Sequence, residues 1–380
     1  MMKTDMNNHR SYGLYIHIPF CARRCLYCDF VSSVSDSKVI DRYVEYLKKE
    51  LSMKLKPDDI ITSIFMGGGS PSVLPVAHIE DIMAYIRSLV DIGDIEITIE
   101  CNPGQVSISM LHALKKCGIN RISFGVQSLN DDELRLIGRI HDSKTALDSI
   151  AMAESVGFTN INADLMYGLP NQSIESFHRS LDGILDSGVT HLSAYSLILE
   201  EGTYLYENRD RYTFPSEDEI VSMQELVLTR IKEYGMHRYE ISNYAIEGKE
   251  CIHNMSYWTR KNYIGVGLAA ASLIDDVRMT NTSVMSDYIQ LIDDGKLPVF
   301  EEEYLTREDA MAECMFLGLR TTHGVDKKHF YESFGIQLDD VYGEIHAKYT
   351  GLGYMVDDGK SVYLNDKGLL ISNTIMCEYM

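Results

Sequence analysis

The chain has 380 residues, 45% of them hydrophobic and 24% charged, and its 35 basic against 56 acidic residues give a formal charge of −21. That balance excludes broad electrostatic affinity for nucleic acid or anionic lipid, because the counterion release that drives such binding needs clustered Lys and Arg; the length exceeds what one ordinary domain uses. The first ten residues are polar and lack the apolar core of about 7–15 residues that marks a secretory signal, and the longest nearly apolar run, 263–274, is broken by glycines and shorter than the ~20 residues of a spanning helix, so the expectation is a cytoplasmic protein.

From residue 12 to about 205, short β-branched runs alternate with longer amphipathic stretches. The runs 13–18, 60–66, 95–100, 121–126, 160–166 and 191–197 read as strands. The stretches 37–55, 76–89, 107–116, 143–156 and 173–185 carry apolar residues at three- and four-residue spacing and read as helices. Six βα units in succession imply a parallel sheet wrapped by helices, an α/β fold whose function gathers at the carboxyl ends of the strands. The loops after the strands carry unusual chemistry: the Cys21, Cys25, Cys28 triplet; Gly67-Gly68-Gly69-Ser70-Pro71; Glu100-Cys101-Asn102-Pro103-Gly104; Gly125-Val126-Gln127-Ser128; and Asp164-Leu165-Met166-Tyr167-Gly168-Leu169-Pro170. Beyond residue 205 the alternation fades into a long helix near 216–234, a strand near 238–242 and a glycine-rich segment around Gly265 and Gly267. From about Thr306 a smaller α+β unit begins, helical at first and closing in a hairpin over 351–364 around Asp357-Asp358-Gly359, which suggests a winged-helix-like module. The expected organisation is a polar segment 1–11, a core 12–205, an extension 206–300 and a C-terminal domain 301–380.

Cys21-x3-Cys25-x2-Cys28 places three thiols on one loop after a strand, while Cys101, Cys117, Cys251, Cys314 and Cys377 are scattered and read as ordinary buried thiols. Three thiolates suit either zinc with a fourth ligand, for which His17 and Asp29 are the neighbours, or an iron–sulfur cluster with one iron left open to a small chelating ligand.

The triplet after a first βα strand resembles the radical S-adenosylmethionine superfamily. Tyr15-Ile16-His17-Ile18-Pro19-Phe20 before it and Tyr27-Cys28-Asp29-Phe30 at its end resemble the branch containing oxygen-independent coproporphyrinogen III dehydrogenase and the HemW-type haem chaperones. The resemblance covers about residues 12–375 and implies a partial (β/α)6 TIM-like barrel. It also implies a [4Fe–4S] cluster on Cys21, Cys25 and Cys28, with S-adenosylmethionine chelated at the open iron. Tyr15, Tyr27, Gly68, Gly69, Ser70, Glu100, Gln127, Arg139 and Asp164 fall at family positions around that cofactor. Read without the resemblance, Arg139 is a surface helix residue, whereas Asp164 at a strand end among apolar neighbours is a functional candidate in its own right.

Two differences favour the chaperones over the dehydrogenase. Phe30 stands where the dehydrogenase has a fourth cysteine, and His253-Asn254-Met255-Ser256-Tyr257-Trp258 fits the H-N-x-x-Y-W signature of the chaperones, with Trp258 the only tryptophan. The implied reading is a haem carrier serving acceptor haemoproteins, with His253, Tyr257 and Trp258 as haem-site candidates and His253 able to ligate iron. Packing and hydrogen bonding are the ordinary use of such a histidine. The alternative is radical decarboxylation of a porphyrinogen. Segment 263–272 keeps two glycines but has alanines where those relatives carry a further Gly and a His. The resemblance leaves room for a reductant protein and a peripheral membrane contact.

Overall fold

A computed structural model describes residues 10–380; most of the polar segment 1–11 lies outside the described residues. Among the described residues, twelve strands form one sheet. Its centre is β1 (Ser11–Ile18), β2 (Ile60–Gly68), β3 (Glu96–Cys101), β4 (Arg121–Gln127), β5 (Ile161–Tyr167) and β6 (His191–Ser196), side by side in that order and all parallel. Both faces of these strands are buried, as expected of near-continuous apolar runs covered by crossover helices. Four of the crossover helices begin where the sequence supplies a cap: Asp36, Ser107, Asp142 and Ser173 each accept a backbone N–H of the first turn of the helix that follows.

The expected single strand at 238–242 is instead a hairpin of β7 (Met236–Arg238) and β8 (Asn243–Ile246). Glu240 lies in the turn and accepts hydrogen bonds from the Ser242 N–H and the Asn243 side-chain amide, which takes the intervening backbone out of the ladder. β8 adds antiparallel to β6 at one edge of the sheet. At the other edge the glycine-rich segment forms β9 (Tyr263–Val266), parallel to β1, followed by β10 (Ala271–Ile274), β11 (Val277–Asn281) and β12 (Val299–Tyr304). Between β8 and β9 a short helix, Ile252–Trp258, crosses close to β2.

The C-terminal helices Arg307–Gly318, Lys327–Phe334 and Leu338–Gly351 surround a three-stranded sheet in the order β13 (Val325–Asp326), β15 (Ser361–Leu364), β14 (Met355–Asp357), the winged-helix-like arrangement expected. It has its own apolar core around Met315, Phe330, Val362 and Ile375. Ion pairs Arg238–Asp366 (2.6 Å) and Arg260–Glu313 (2.9 Å) join it to the barrel. Among the described residues no helix is long and apolar enough to cross a membrane.

Candidate functional site at the carboxyl rim of the barrel

Parallel strands deliver their following loops to one rim. The cysteine loop leaves β1 and is pinned at three points. Cys21 N–H donates to the Ser33 carbonyl (2.9 Å), Leu26 N–H donates to the Ile137 carbonyl (3.0 Å), and the Leu26 carbonyl accepts from Leu205 N–H (2.9 Å). All three thiols are free and half-buried. Burial is the first cause raising Cys21 and Cys28, the latter to about 11, so without a metal these are protonated thiols. Among the described residues no three His, Cys, Asp or Glu side chains converge on a single metal ion.

The glycine loop runs beside it. Gly69 N–H donates to the Ile18 carbonyl (2.9 Å) and Ser70 N–H to the Phe20 carbonyl (2.7 Å), so β2 extends its pairing into the base of the cysteine loop. Gly68 has φ +104°, and a Cβ there would lie 2.3 Å from His17 Cε1; one on Gly69 would lie 2.6 Å from the Phe20 carbonyl. The contact that excludes a side chain is with β1 itself, a packing reason for the glycines that the sequence did not reveal. Ser70 turns its hydroxyl inward, to Gln105 Oε1 and Ser72 Oγ (both 2.9 Å).

Across the rim, Glu100 accepts the Gly68 N–H (3.1 Å). Burial, helped by the nearby Asp164 charge, raises it to about 7. Asp164, set beside Gly125 by the β4–β5 register, accepts Asn162 Nδ2 (2.7 Å) and is raised chiefly by burial. A register shift after Gly125 puts Gln127 at φ +71° with its Oε1 accepting from the Tyr195 hydroxyl (3.2 Å). Arg139 is not a surface helix residue: the helix Asp131–Leu136 ends before it, and a turn brings its guanidinium back to the rim. It donates to Cys25 Sγ (3.4 Å), to Asn102 Oδ1 (2.5 Å) and to the Gly125 carbonyl. A methyl placed on Gly125 would stand 3.1 Å from Gln127 Nε2, 3.2 Å from Arg139 and 3.5 Å from Asn102 Oδ1. These side chains converge on one spot beside the cysteine loop. Asn102 and Tyr195 had no assigned role in the sequence; Asn102 was marked only by its unusual post-strand loop.

Tyr27 packs on Ile137, Met166 and Leu169 near Tyr195. Tyr15 lies close enough to Glu100 to feel its charge. Its hydroxyl lies 3.0 Å from His17 Nδ1, and His17 Nε2–H donates to the Val31 carbonyl (2.9 Å), which makes His17 a neutral acceptor for the Tyr15 O–H. Tyr15, His17, Asp29, Phe30, Val31, Tyr257, Tyr263, Ala269 and Ala271 line a pocket of about 410 Å³ on this side of the cysteine loop. Phe30, 61% exposed, forms its rim.

The three haem-site candidates on the helix Ile252–Trp258 do not share a surface. His253 is 1% exposed and is absent from the pocket wall. Its Nδ1 lies 2.8 Å from Ser63 Oγ, its Nε2 lies 2.8 Å from the Tyr257 hydroxyl, and its ring stacks on Phe65. Burial, with a smaller push from Arg121, holds it neutral with a pKa of about 3. Tyr257 does line the pocket, edge-on to Tyr263. Trp258 points to the C-terminal unit, with the Arg320 guanidinium 4.4 Å from its ring. Below the helix, Glu96 accepts the N–H groups of Ile252 and His253 (both 3.1 Å), and the fully buried Arg121 lies close enough to feel its charge. Neither residue stood out in the sequence, each being one polar residue at the start of an apolar strand.

Residues 15–184 match the Radical SAM superfamily and residues 305–371 the HemN C-terminal domain. The chain is 36% identical over 374 residues to the heme chaperone HemW of Bacillus subtilis, covering 96% of this chain and 98% of that one. It is 33% identical over 371 residues to the heme chaperone HemW of Lactococcus lactis, covering 96% of each. The solved coproporphyrinogen III oxidase HemN of Escherichia coli, a radical SAM enzyme, superposes with a TM-score of 0.86 at 23% identity, over 98% of this chain and 90% of that one.

Proposed function

The chain belongs to the family of the heme chaperone HemW within the radical SAM superfamily, and from that premise we propose that it is a haem carrier. In this reading Cys21, Cys25 and Cys28 hold a [4Fe–4S] cluster, the rim beside them holds S-adenosylmethionine, and haem occupies the pocket behind Phe30 and Tyr257. Bound together, cluster and cofactor supply one-electron reductive chemistry at an iron that no cysteine ligates. The chain's own residues do the rest. Arg139 braces Cys25 against the Asn102 side chain and the β4 carbonyl. Glu100, poised near neutrality, can accept or donate a hydrogen bond to a cationic or hydroxylic ligand group. Gln127 and Asp164 offer further polar contacts.

The observation that carries the haem reading is the shared wall of the pocket: Asp29, Phe30 and Val31 from the cysteine loop face Tyr257 and Tyr263 from the H-N-x-x-Y-W helix and β9. An apolar, aromatic surface suits a flat macrocycle, whose burial is driven by its area. Haem lodged there would rest on Asp29, Phe30 and Val31 of the cysteine loop, from where it would pass to an acceptor haemoprotein, and a reductant protein would supply the cluster's electrons. We divide the chain accordingly into core 12–205, extension 206–300 and C-terminal domain 301–380, the last supported by its separate apolar core.

The test pairs two measurements on the anaerobically reconstituted protein: a haem titration and an assay for decarboxylation of coproporphyrinogen III. Stoichiometric haem binding without decarboxylation is expected. Robust decarboxylation would replace the carrier reading with that of a porphyrinogen dehydrogenase.

A further inference from the structure

Resting on the haem-carrier reading, we propose that the phenolic oxygen of Tyr257 is the protein's ligand to haem iron, with His253 as the positioning residue behind it. The argument begins with which donors can reach the pocket. Its wall offers Tyr15, His17, Asp29, Tyr257 and Tyr263. His17 has both ring nitrogens engaged, by the Val31 carbonyl and the Tyr15 hydroxyl, and its ring is wedged against Gly68 of the glycine loop. Tyr15 is tied to that same histidine and so belongs with the glycine loop. Asp29 is exposed on the cysteine loop, and among the described residues its side chain has no hydrogen-bond partner to orient it. Tyr263 presents its ring edge-on to Tyr257, at 4.7 Å between centroids.

Tyr257 differs from these in what the group behind its oxygen can do: Tyr15 is backed by His17, whose ring N–H is spent on the Val31 carbonyl, and Tyr263 is held by Arg278, whereas Tyr257 is backed by a histidine whose far nitrogen meets a hydroxyl able to donate to it. His253 Nε2 is 2.8 Å away, the imidazole is locked on its far side by Ser63 Oγ at 2.8 Å, and Phe65 stacks on its face. A histidine buried so deeply and hydrogen-bonded at both nitrogens would have to leave its place to ligate iron. What it can do without moving is hold a phenolate. In the tautomer with Nε2–H, Ser63 O–H donates to Nδ1, the imidazole donates to the Tyr257 oxygen, and the phenol's own proton turns toward the pocket. Ferric iron takes the place of that proton: the O–H bond breaks, an Fe–O bond forms, one proton leaves to solvent, and iron keeps its oxidation state. Tyrosinate is an established protein ligand to haem iron, and a charge-assisted hydrogen bond from a fixed donor stabilises it where water is scarce. The resting phenol is correspondingly hard to ionise, its pKa raised first by burial, so without iron the site stays neutral.

The helix explains the division of labour. His253 and Tyr257 are four residues apart and lie on one face, one turn apart, so the fully buried histidine stands behind the half-buried tyrosine that lines the pocket.

The experiment titrates ferric haem into the wild type, Tyr257→Phe, Tyr15→Phe and His253→Gln, recording optical and resonance Raman spectra of each complex. The wild type should show phenolate-to-iron charge-transfer bands and tyrosinate modes. Tyr257→Phe, which removes one oxygen and keeps the ring, should lose both and bind at least tenfold more weakly. Tyr15→Phe should retain both. His253→Gln should keep the tyrosinate signature with shifted frequencies, because the ligand remains and its hydrogen-bond donor changes. An unaltered spectrum in Tyr257→Phe, an imidazole signature lost only in His253→Gln, or a tyrosinate signature lost in Tyr15→Phe would each overturn the assignment and leave the carrier reading standing. Failure of the wild type to bind haem at all would bring down the carrier reading, and the assignment with it.

Discussion

The rim beside the cysteine loop and the helix Ile252–Trp258 organise their chemistry in opposite ways. At the rim, residues far apart in sequence, Cys25, Asn102, Gly125 and Arg139, meet within hydrogen-bonding distance because parallel strands carry their loops to one end. On the helix, neighbours in sequence part company: Tyr257, with the buried His253 hydrogen-bonded behind it, lines the pocket, while Trp258 turns to the C-terminal unit. A motif spread over strand ends can be one site, whereas a contiguous motif on a helix is divided by the ~100° turn between neighbours. The strongest way to break this comparison is at the rim. Replacing Cys21, Cys25 and Cys28 together with Ala should abolish iron–sulfide absorbance after reconstitution. Wild-type iron and sulfide content in that variant would show that the rim does not assemble the site described. The scattered Cys101, Cys117, Cys251, Cys314 and Cys377 should each be dispensable for it.

Next in size come the residues that hold each region in place. Glu96→Ala removes the acceptor for two helix N–H groups and a nearby negative charge for the buried Arg121. Leaving such groups unpaired should cost about 3 kcal/mol, read from the denaturant midpoint. Arg139→Met should cost less, about 1–3 kcal/mol, since the Asn102 side chain and the Gly125 carbonyl lose a charged donor at a partly solvated rim. It should also lower cluster occupancy, whereas Glu96→Ala should spare it. The same fall in occupancy in both variants would mean that the two regions are one cooperative unit.

The regions also differ in the sign of their pH dependence. Glu100 is raised from an ordinary 4.5 to about 7, so its contribution to stability is fully present below about 4.5 and is lost as pH rises through about 7. His253 is lowered from 6.5 to about 3; its contribution is fully present above about 6.5 and is lost as pH falls toward 3. Glu100→Gln should therefore flatten the decline in stability between about pH 4.5 and 7 and leave acid lability below it untouched. A decline unchanged by the substitution would place the ionising group elsewhere.

Sequence and structure agree best where periodicity and topology act together. The six strands, the winged-helix-like unit and the rim loops were legible because alternating βα units admit few arrangements. The edge strands β9–β12 were not, since their glycines and polar residues leave no clean alternation; β9 is fixed instead by long-range contacts such as Gly267 N–H to the buried Glu50 carboxylate (2.7 Å). Read without the resemblance, Arg139 falls on a surface helix, because the helix before it ends after six residues, a boundary that periodicity does not mark. His253 and Trp258 were grouped with Tyr257 by adjacency in the signature, and only the packing of the short helix against β2 and the C-terminal unit separates them.

Trp258 supplies the smallest and sharpest test of that separation. Its ring lies 4.4 Å from the Arg320 guanidinium and its buried Nε1–H has no hydrogen-bond partner among the described residues. Trp258→Phe therefore keeps an aromatic face for the cation while deleting a buried donor that is unpaired in any case. The weaker face should lose up to about 1 kcal/mol, and removal of the unpaired donor should return part of it, so the net change in stability should stay within about 1 kcal/mol. Haem affinity and spectrum should match the wild type, because the side chain is absent from the pocket wall. A large loss of haem binding with stability intact would return Trp258 to the haem site, and the helix would then have to turn from the arrangement in which His253 sits behind Tyr257.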